Sequence, residues 1–418
     1  MSRVVIYGGK KLNGSVWING SKNLMLPVMA ASLLNRGVTV IHNFPDIVDV
    51  RSMQEILEYL ECRIKRDKDT MIIDTSDALF KPLNLQISGK LRASTILMGP
   101  MLARFGKADI AKPGGCNIGE RPVDIHLNAF KRLGAYWEMS DTRTIVSAAR
   151  LHANRIDLRL PSVGATENAI MAAVCSTGIT TLTNVAKEPE IISLCDFLWG
   201  AGAVIQGAGT NTITVSGVAS LNDSEYTIPP DRIVAGTYIA AVCACGGDIL
   251  LENCTTPDLS GYLNIYQGMG AVFSYYAGGI RVCMKERPVN LNYIKTEPFP
   301  GFPTDMQSIT LSVAAVSKGN LTMSENVFED RFKVVKWLNR MGADICVSGR
   351  NAFVRGVSVL TGTTVTGEDL RGNAALIVAG LCARGMTIVN DSDYINRGYC
   401  NLCENLKKLG ADIKWEND

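Results

Sequence analysis

One unit of about 70 residues recurs six times along this chain, and that repetition limits the folds open to it more than any other feature. The copies open at Lys22 (KNLMLPVMAASLLNRG), Arg92 (RASTILMGPMLARFG), Ala165 (ATENAIMAAVCSTG), Asp231 (DRIVAGTYIAAVCACGG), Thr304 (TDMQSITLSVAAVSKG) and Leu370 (LRGNAALIVAGLCARG). Each reads as a helix rich in alanine and leucine, a glycine stop and a β-branched strand. An acidic or proline-containing turn, a second amphipathic helix and a Gly-Ala step into another strand follow. The opening helices are apolar nearly all round, so they are expected inside the fold with strands outside them. Two globular α/β domains of three units each, with helices wrapped by sheet, satisfy that pattern; a linear solenoid is the alternative the period alone allows. A doubly wound dinucleotide fold fits poorly, since no GxGxxG opens a helix near the start of the chain.

A chain of 418 residues exceeds one ordinary core and agrees with two domains of roughly 200 residues each. Lys+Arg number 42 against Asp+Glu 40, so no net charge draws the whole molecule onto nucleic acid or an anionic membrane. No continuous run of about 18 apolar residues or secretory leader is visible, and a cytoplasmic chain without membrane insertion is expected. The 12 cysteines are scattered through apolar segments such as MAAVCSTG and VAGLCARG, where each suits a core. Cys400 and Cys403 form a lone CxxC. With only three histidines in the chain (His42, His126, His152) they read as helical neighbours in a core rather than zinc ligands.

The second copy departs from the others. Between Phe105 and Arg121, where they have a short strand and turn, it carries a cysteine-bearing stretch that belongs to Ala111 to His126, AKPGGCNIGERPVDIH. Gly114, Gly115 and Gly119 allow main-chain N–H groups and the Cys116 thiol to point into one small space, and Pro113 and Pro122 stiffen the ends. The stretch reads as a lid that folds over a ligand. A thiol near Lys112, Glu120, Arg121 and His126 suits a nucleophile or a proton donor, the alternative being an inert cysteine in a tight turn.

Charged residues gather at the openings of the units: Lys22-Asn23, Arg92, Asp305 and Asp369-Leu370-Arg371, with Arg397 after the last strand. Singly, each could be a solvated or capping residue. Their recurrence at equivalent points suggests one shared rim, rich in cations, for a multiply charged phosphate or carboxylate ligand. The turn Ser162-Val163-Gly164 offers hydroxyl and N–H groups for a diphosphate or a polar ring. PFPGFPTD is a stiff segment that ends on Asp305.

These motifs resemble, in order and over essentially the whole chain, those of the UDP-N-acetylglucosamine enolpyruvyl transferase family: GSKN, LRAS, GPMLARFG, PGGCNIGERPVDIH, PSVGATEN, KEPEI, PDRIVAGT, PGFPTDMQ, ENVFEDRF, DLR and NRGY. The resemblance implies two inside-out α/β barrel-like domains, each of three repeated βαβαββ-type units, with the active site in the cleft between them. Residues 1–21 and 230–418 would form the domain carrying Asp305 and the C-terminal arginines; residues 22–229 would form the other, bearing the 111–126 lid.

It also implies transfer of the enolpyruvyl group of phosphoenolpyruvate to the 3'-hydroxyl of UDP-N-acetylglucosamine, with Cys116, Asp305, Lys22 and Arg397 catalytic. Cys116 would donate the proton and also bond covalently to phosphoenolpyruvate, and Asp305 would deprotonate the sugar hydroxyl. Lys22, Asn23, Arg121, Arg331, Arg371 and Arg397 would bind phosphoenolpyruvate. Asn23, Arg92, Arg121, Pro122, Val123, Asp124, Ile125, His126, Ser162, Val163, Gly164, Asp305 and Val327 would hold the nucleotide sugar, with Asp369 and Leu370 in support. No cofactor, metal, nucleic acid or obligate protein partner is implied. The alternatives are the sibling transferase acting on shikimate 3-phosphate, which lacks the cysteine lid, and a non-catalytic UDP-sugar sensor.

Overall fold

The computed structural model of the chain describes residues 2–89, 91–111, 123–254 and 257–417. They divide into two compact units: one takes the chain up to Asn19 and from Pro230 onward, the other runs from Gly20 to Pro229. No helix among the described residues is long and apolar enough to cross a membrane.

In the unit that begins and ends the chain, the helices Arg232–Cys245, Thr304–Val316 and Leu370–Cys382 pack on one another. The last is buried at every position from Leu370 to Leu381, and Thr304–Val316 is buried from Met306 onward. A helix with no polar face must be covered on every side. Three four-stranded sheets provide the cover.

In two of these sheets, three strands of one copy are joined by a parallel fourth from another part of the chain. Leu12–Trp17 runs beside Gly247–Glu252, and Tyr293–Lys295 beside Asn320–Ser324. The sixth copy is built differently, because Met386–Asn390 and Asp412–Asn417 do not pair with a hairpin strand of their own copy. The missing strand is the N-terminal one, Ser2–Tyr7, seated antiparallel between Met386–Asn390 and Asp412–Asn417, with Val4 opposite both Val389 and Trp415. Its Val4, Val5 and Ile6 are buried.

The other unit repeats the plan around Lys22–Ala31, Met98–Phe105 and Val163–Val174. Its last strand, Ser224–Thr227, pairs in parallel with Val38–His42 of the first copy. The second copy corrects the sequence expectation. Its strand is not replaced by the lid: Lys107–Ala111 is present and pairs antiparallel with Arg143–Ser147. The sheet has three strands, and an isolated parallel bridge between Leu83 and Ile110 stands where the others have a fourth strand.

The Gly-Ala step after each second helix is a left-handed turn, with φ of 93° at Gly134, 100° at Gly202, 109° at Gly270, 93° at Gly342 and 100° at Gly410. The first copy places Glu61 there, at φ 68°. The CxxC pair is not a pair of helical neighbours: Cys403 is buried in the helix Leu402–Lys408, and Cys400 precedes that helix.

Candidate active site

Asp305 enters in the first turn of Thr304–Val316, immediately after the proline-rich segment. One carboxylate oxygen accepts from Arg331 at 2.6 Å and the other from Arg371 at 3.0 Å. The side chains of Arg331 and Arg371 are 4% and 6% exposed, that of Asp305 26%. Two buried guanidinium groups therefore share one carboxylate, an arrangement that is costly unless further anions or hydrogen bonds complete it. Arg331 Nε is buried and has no hydrogen-bond partner among the described residues, so a donor remains beside the pair.

Each arginine has its own support. Arg371 Nη1 donates to the Tyr399 hydroxyl at 3.2 Å, and that hydroxyl lies 2.9 Å from Thr237 Oγ1. Thr237 donates in turn to the Ile233 carbonyl at 2.8 Å, which gives the relay one direction, from the guanidinium through Tyr399 to the first turn of Arg232–Cys245. Burial works against the charge on Arg371, but Asp305, Tyr399 and Asp231 outweigh it and hold the guanidinium above the ordinary arginine value. Asp369 caps the helix, its Oδ1 accepting from the N–H groups of Arg371 and Gly372 at 2.9 Å each.

Arg331 lies 5.1 Å from the ring centre of Phe328, and the wholly buried Glu325 sets the turn that carries this ring. Glu325 accepts from the hydroxyls of Thr296 and Thr304 at 2.9 Å each, and from the N–H groups of Val327 at 2.8 Å and Phe328 at 3.0 Å. One carboxylate thus fixes both the start of the Asp305 helix and the position of Val327. Arg397 ends the short helix Ser392–Arg397, two residues before Tyr399.

In the other unit, Lys22 is the first residue of its helix, and its ammonium meets Asp49 at 2.7 Å, with side chains 13% and 3% exposed. Asn23 follows it. Arg92 opens the 3-10 helix Arg92–Leu97. Ser162 caps Val163–Val174, its hydroxyl accepting from the Ala165 N–H at 3.4 Å. Gly164 lies against His126, since a methyl group placed on it would sit 3.2 Å from Nε2. Burial pushes His126 down to about 4, with Asp124 opposing, so the imidazole is neutral at pH 7; its Nδ1 has no partner among the described residues. Asp124 accepts from Arg159 at 2.9 Å. Ile125 lines an open groove of about 630 Å³ with Arg132, Ile156 and Arg159. Val123 precedes the helix Asp124–Arg132.

The structure thus joins Asp305, Arg331, Arg371, Asp369 and Leu370 at one end of a helix cluster, and His126 with Gly164 in the other unit. Cys116, Arg121 and Pro122 lie outside the described residues. Sequence reading missed Asp49, Glu325 and Tyr399. Tyr399 alone left a signal, as the aromatic that ends NRGY.

Comparison with known proteins places this geometry in a family. The model for EPSP synthase (3-phosphoshikimate 1-carboxyvinyltransferase) matches residues 6–406. UDP-N-acetylglucosamine 1-carboxyvinyltransferase 2 of Caldanaerobacter subterraneus subsp. tengcongensis is 44% identical over 413 residues, covering 99% of each chain. The UDP-N-acetylglucosamine 1-carboxyvinyltransferase of Desulforapulum autotrophicum is 42% identical over 415 residues, again covering 99% of each. Among solved structures, the enolpyruvyl transferase NikO from Streptomyces tendae is similar with a TM-score of 0.89 at 25% identity, covering 99% of both chains. EPSP synthase from Acinetobacter baumannii shares the fold at a TM-score of 0.78 and 17% identity, over 100% of both. The chain belongs to the carboxyvinyltransferase (enolpyruvyl transferase) family, and its full-length similarity is to the members named for UDP-N-acetylglucosamine.

Proposed function

We propose that this chain transfers the enolpyruvyl group of phosphoenolpyruvate to the 3'-hydroxyl of UDP-N-acetylglucosamine and releases phosphate, the first committed step of peptidoglycan precursor synthesis, in the cytoplasm. The observation that carries the reading is Asp305 held between the buried guanidinium groups of Arg331 and Arg371, in a chain 44% identical over its length to a protein named for that reaction.

The reaction adds a proton to the methylene carbon of the enol and the sugar oxygen to its central carbon, giving a tetrahedral intermediate; a proton then leaves the new methyl group as phosphate departs from the central carbon, which restores the double bond. Cys116 donates the proton. Asp305 takes the proton of the 3'-hydroxyl, the two transfers together being worth several powers of ten in rate. Arg331 and Arg371 hold the carboxylate side of phosphoenolpyruvate, and Lys22, Arg121 and Arg397 the phosphate side, so that cations stand where charge develops. Asp49 pairs with the Lys22 ammonium at the helix start and fixes its position. A neutral His126 beside Gly164 presents a hydrogen-bonding edge to the nucleotide sugar without adding charge. The same guanidinium and ammonium groups do the neutralising that a metal would otherwise do.

The test is phosphate release from phosphoenolpyruvate, measured alone, with UDP-N-acetylglucosamine and with shikimate 3-phosphate. Release that depends on the sugar nucleotide is expected. Dependence on shikimate 3-phosphate would move the chain to the sibling reaction, and binding of the sugar nucleotide without release would make it a sensor.

A further inference from the structure

The structure assigns Asn168 as a positioning residue for the sugar nucleotide, an inference that rests on the functional reading above. Asn168 sits in the helix Val163–Val174 and is wholly buried. Its Oδ1 accepts from the Gly99 N–H at 2.7 Å, and its Nδ2 donates to the Thr95 carbonyl at 3.2 Å and the Gly164 carbonyl at 3.1 Å. Both N–H bonds of the carboxamide are spent, as is one lone pair of its oxygen. Two bonds cross to the second copy, and one returns to the first turn of the same helix.

That division matters because of what each end carries. Thr95 belongs to the 3-10 helix that Arg92 opens, and Gly164 to the turn Ser162–Gly164. Both segments are assigned to the nucleotide sugar, and both hang from this one side chain. Gly99 shows how close the approach is: a methyl group placed on it would lie 2.4 Å from the main-chain oxygen of Asn168. That contact is with main chain, so position 99 stays glycine whatever the side chain at 168, and the carboxamide is what ties the two segments together across this close approach. Neighbouring Thr166, also wholly buried, does an equivalent job toward a different segment, its Oγ1 accepting from the Ala186 N–H at 3.1 Å.

The two residues supply a test. Asn168→Leu removes the cross-bonds at similar volume, and Thr166→Val removes one bond from the same helix. Both should lower the melting temperature. Asn168→Leu should raise the KM for UDP-N-acetylglucosamine by roughly tenfold or more, the scale of one or two lost buried hydrogen bonds, with kcat and the KM for phosphoenolpyruvate within about threefold of wild type. Thr166→Val should leave all three kinetic constants near wild type. Should the leucine variant not fold, Asn168→Asp keeps the acceptor for Gly99 and loses the donors to Thr95 and Gly164, and should shift the same KM in the same direction. Equal changes in both KM values, or the same kinetic change in Thr166→Val, would overturn the assignment and leave the functional reading intact. A wild-type chain that does not bind UDP-N-acetylglucosamine by calorimetry would overturn both.

Discussion

Asp305 and Arg371 stand at the first turns of helices from the fifth and sixth copies, joined carboxylate to guanidinium at 3.0 Å. Arg331 holds the other oxygen of the same carboxylate. In the proposed reaction the carboxylate of phosphoenolpyruvate would compete with Asp305 for these two guanidinium groups.

Asp305→Asn should therefore retain sugar-nucleotide binding and lose turnover by roughly 10² to 10⁴. It should also lower the melting temperature of the unliganded chain, because two buried guanidinium groups lose their shared counter-charge. Phosphoenolpyruvate should restore part of that loss. Steady-state kinetics and thermal melts with and without the ligand are the measurements, and turnover within threefold of wild type would remove Asp305 from the chemistry.

Glu167 sets a pH dependence. It is buried in the helix Val163–Val174; burial first, then Glu190 and Glu188, raise its carboxyl well above the usual value of 4.5. The unfolded chain loses this proton near 4.5 while the folded chain keeps it. Above that pH the folded state binds more protons, so this group makes stability fall as pH rises toward the folded value. Glu167→Gln cannot titrate and should gain stability over wild type progressively between pH 5 and 8, with no gain at pH 4. Urea unfolding at both ends of the range checks it; a difference independent of pH would mean that Glu167 is ionised in the fold.

Glu61 occupies the left-handed turn that glycine fills in the other five copies. A side chain there costs roughly 1–2 kcal/mol, and glycine returns part of this as unfolded-state entropy. The surface ion pair of Glu61 with Lys81 is worth little in comparison. Glu61→Gly should stabilise the chain by roughly 0.5–1 kcal/mol, read as a shift in the urea midpoint at unchanged slope. A loss of stability would show that the ion pair outweighs the strain.

Cys116 should be the thiol that an epoxide mimic of phosphoenolpyruvate such as fosfomycin alkylates, faster when UDP-N-acetylglucosamine is present and slower with phosphoenolpyruvate. Its competitors are poorly set for reaction: burial first pushes Cys62, Cys195, Cys254, Cys382 and Cys403 up to about 12. Cys346 is exposed and should take up a general reagent such as iodoacetamide, yet not the epoxide. Peptide mass spectrometry after brief exposure should show one adduct, absent in Cys116→Ser. Labelling at several cysteines, or a rate indifferent to the sugar nucleotide, would return the 111–126 stretch to an ordinary turn.

What could be read from the sequence was whatever leaves a local trace. The opening helices announced their burial through apolar residues on every side, and Asp305 and Arg371 stood at helix starts where a charge is conspicuous. Glu325 left no such trace, because ENVFED reads as an acidic surface turn, and only tertiary structure shows the first of its acids wholly buried and receiving four donors. Asp49 is, in sequence, an acid in the first turn of an amphipathic helix, which a helix dipole would favour with no partner at all. The strand Lys107–Ala111 was obscured by the glycine-rich stretch that continues from it. Pairing of Ser2–Tyr7 with the end of the chain is a relation across almost the whole sequence, on which no window of neighbouring residues bears.

That last pairing dictates an order of events during synthesis. Ser2–Tyr7 is translated long before both of its neighbours, Met386–Asn390 and Asp412–Asn417. The unit from Gly20 to Pro229 has all its strands once Ser224–Thr227 has left the ribosome, and it can complete its sheets while the remainder is still being made. Val4, Val5 and Ile6 must meanwhile wait, as an unpaired β-prone segment on the nascent chain, until Asp412–Asn417 has been made. A chain stalled before Asp412 would leave that edge open, and would be a substrate for chaperones and proteases rather than a slightly shortened enzyme.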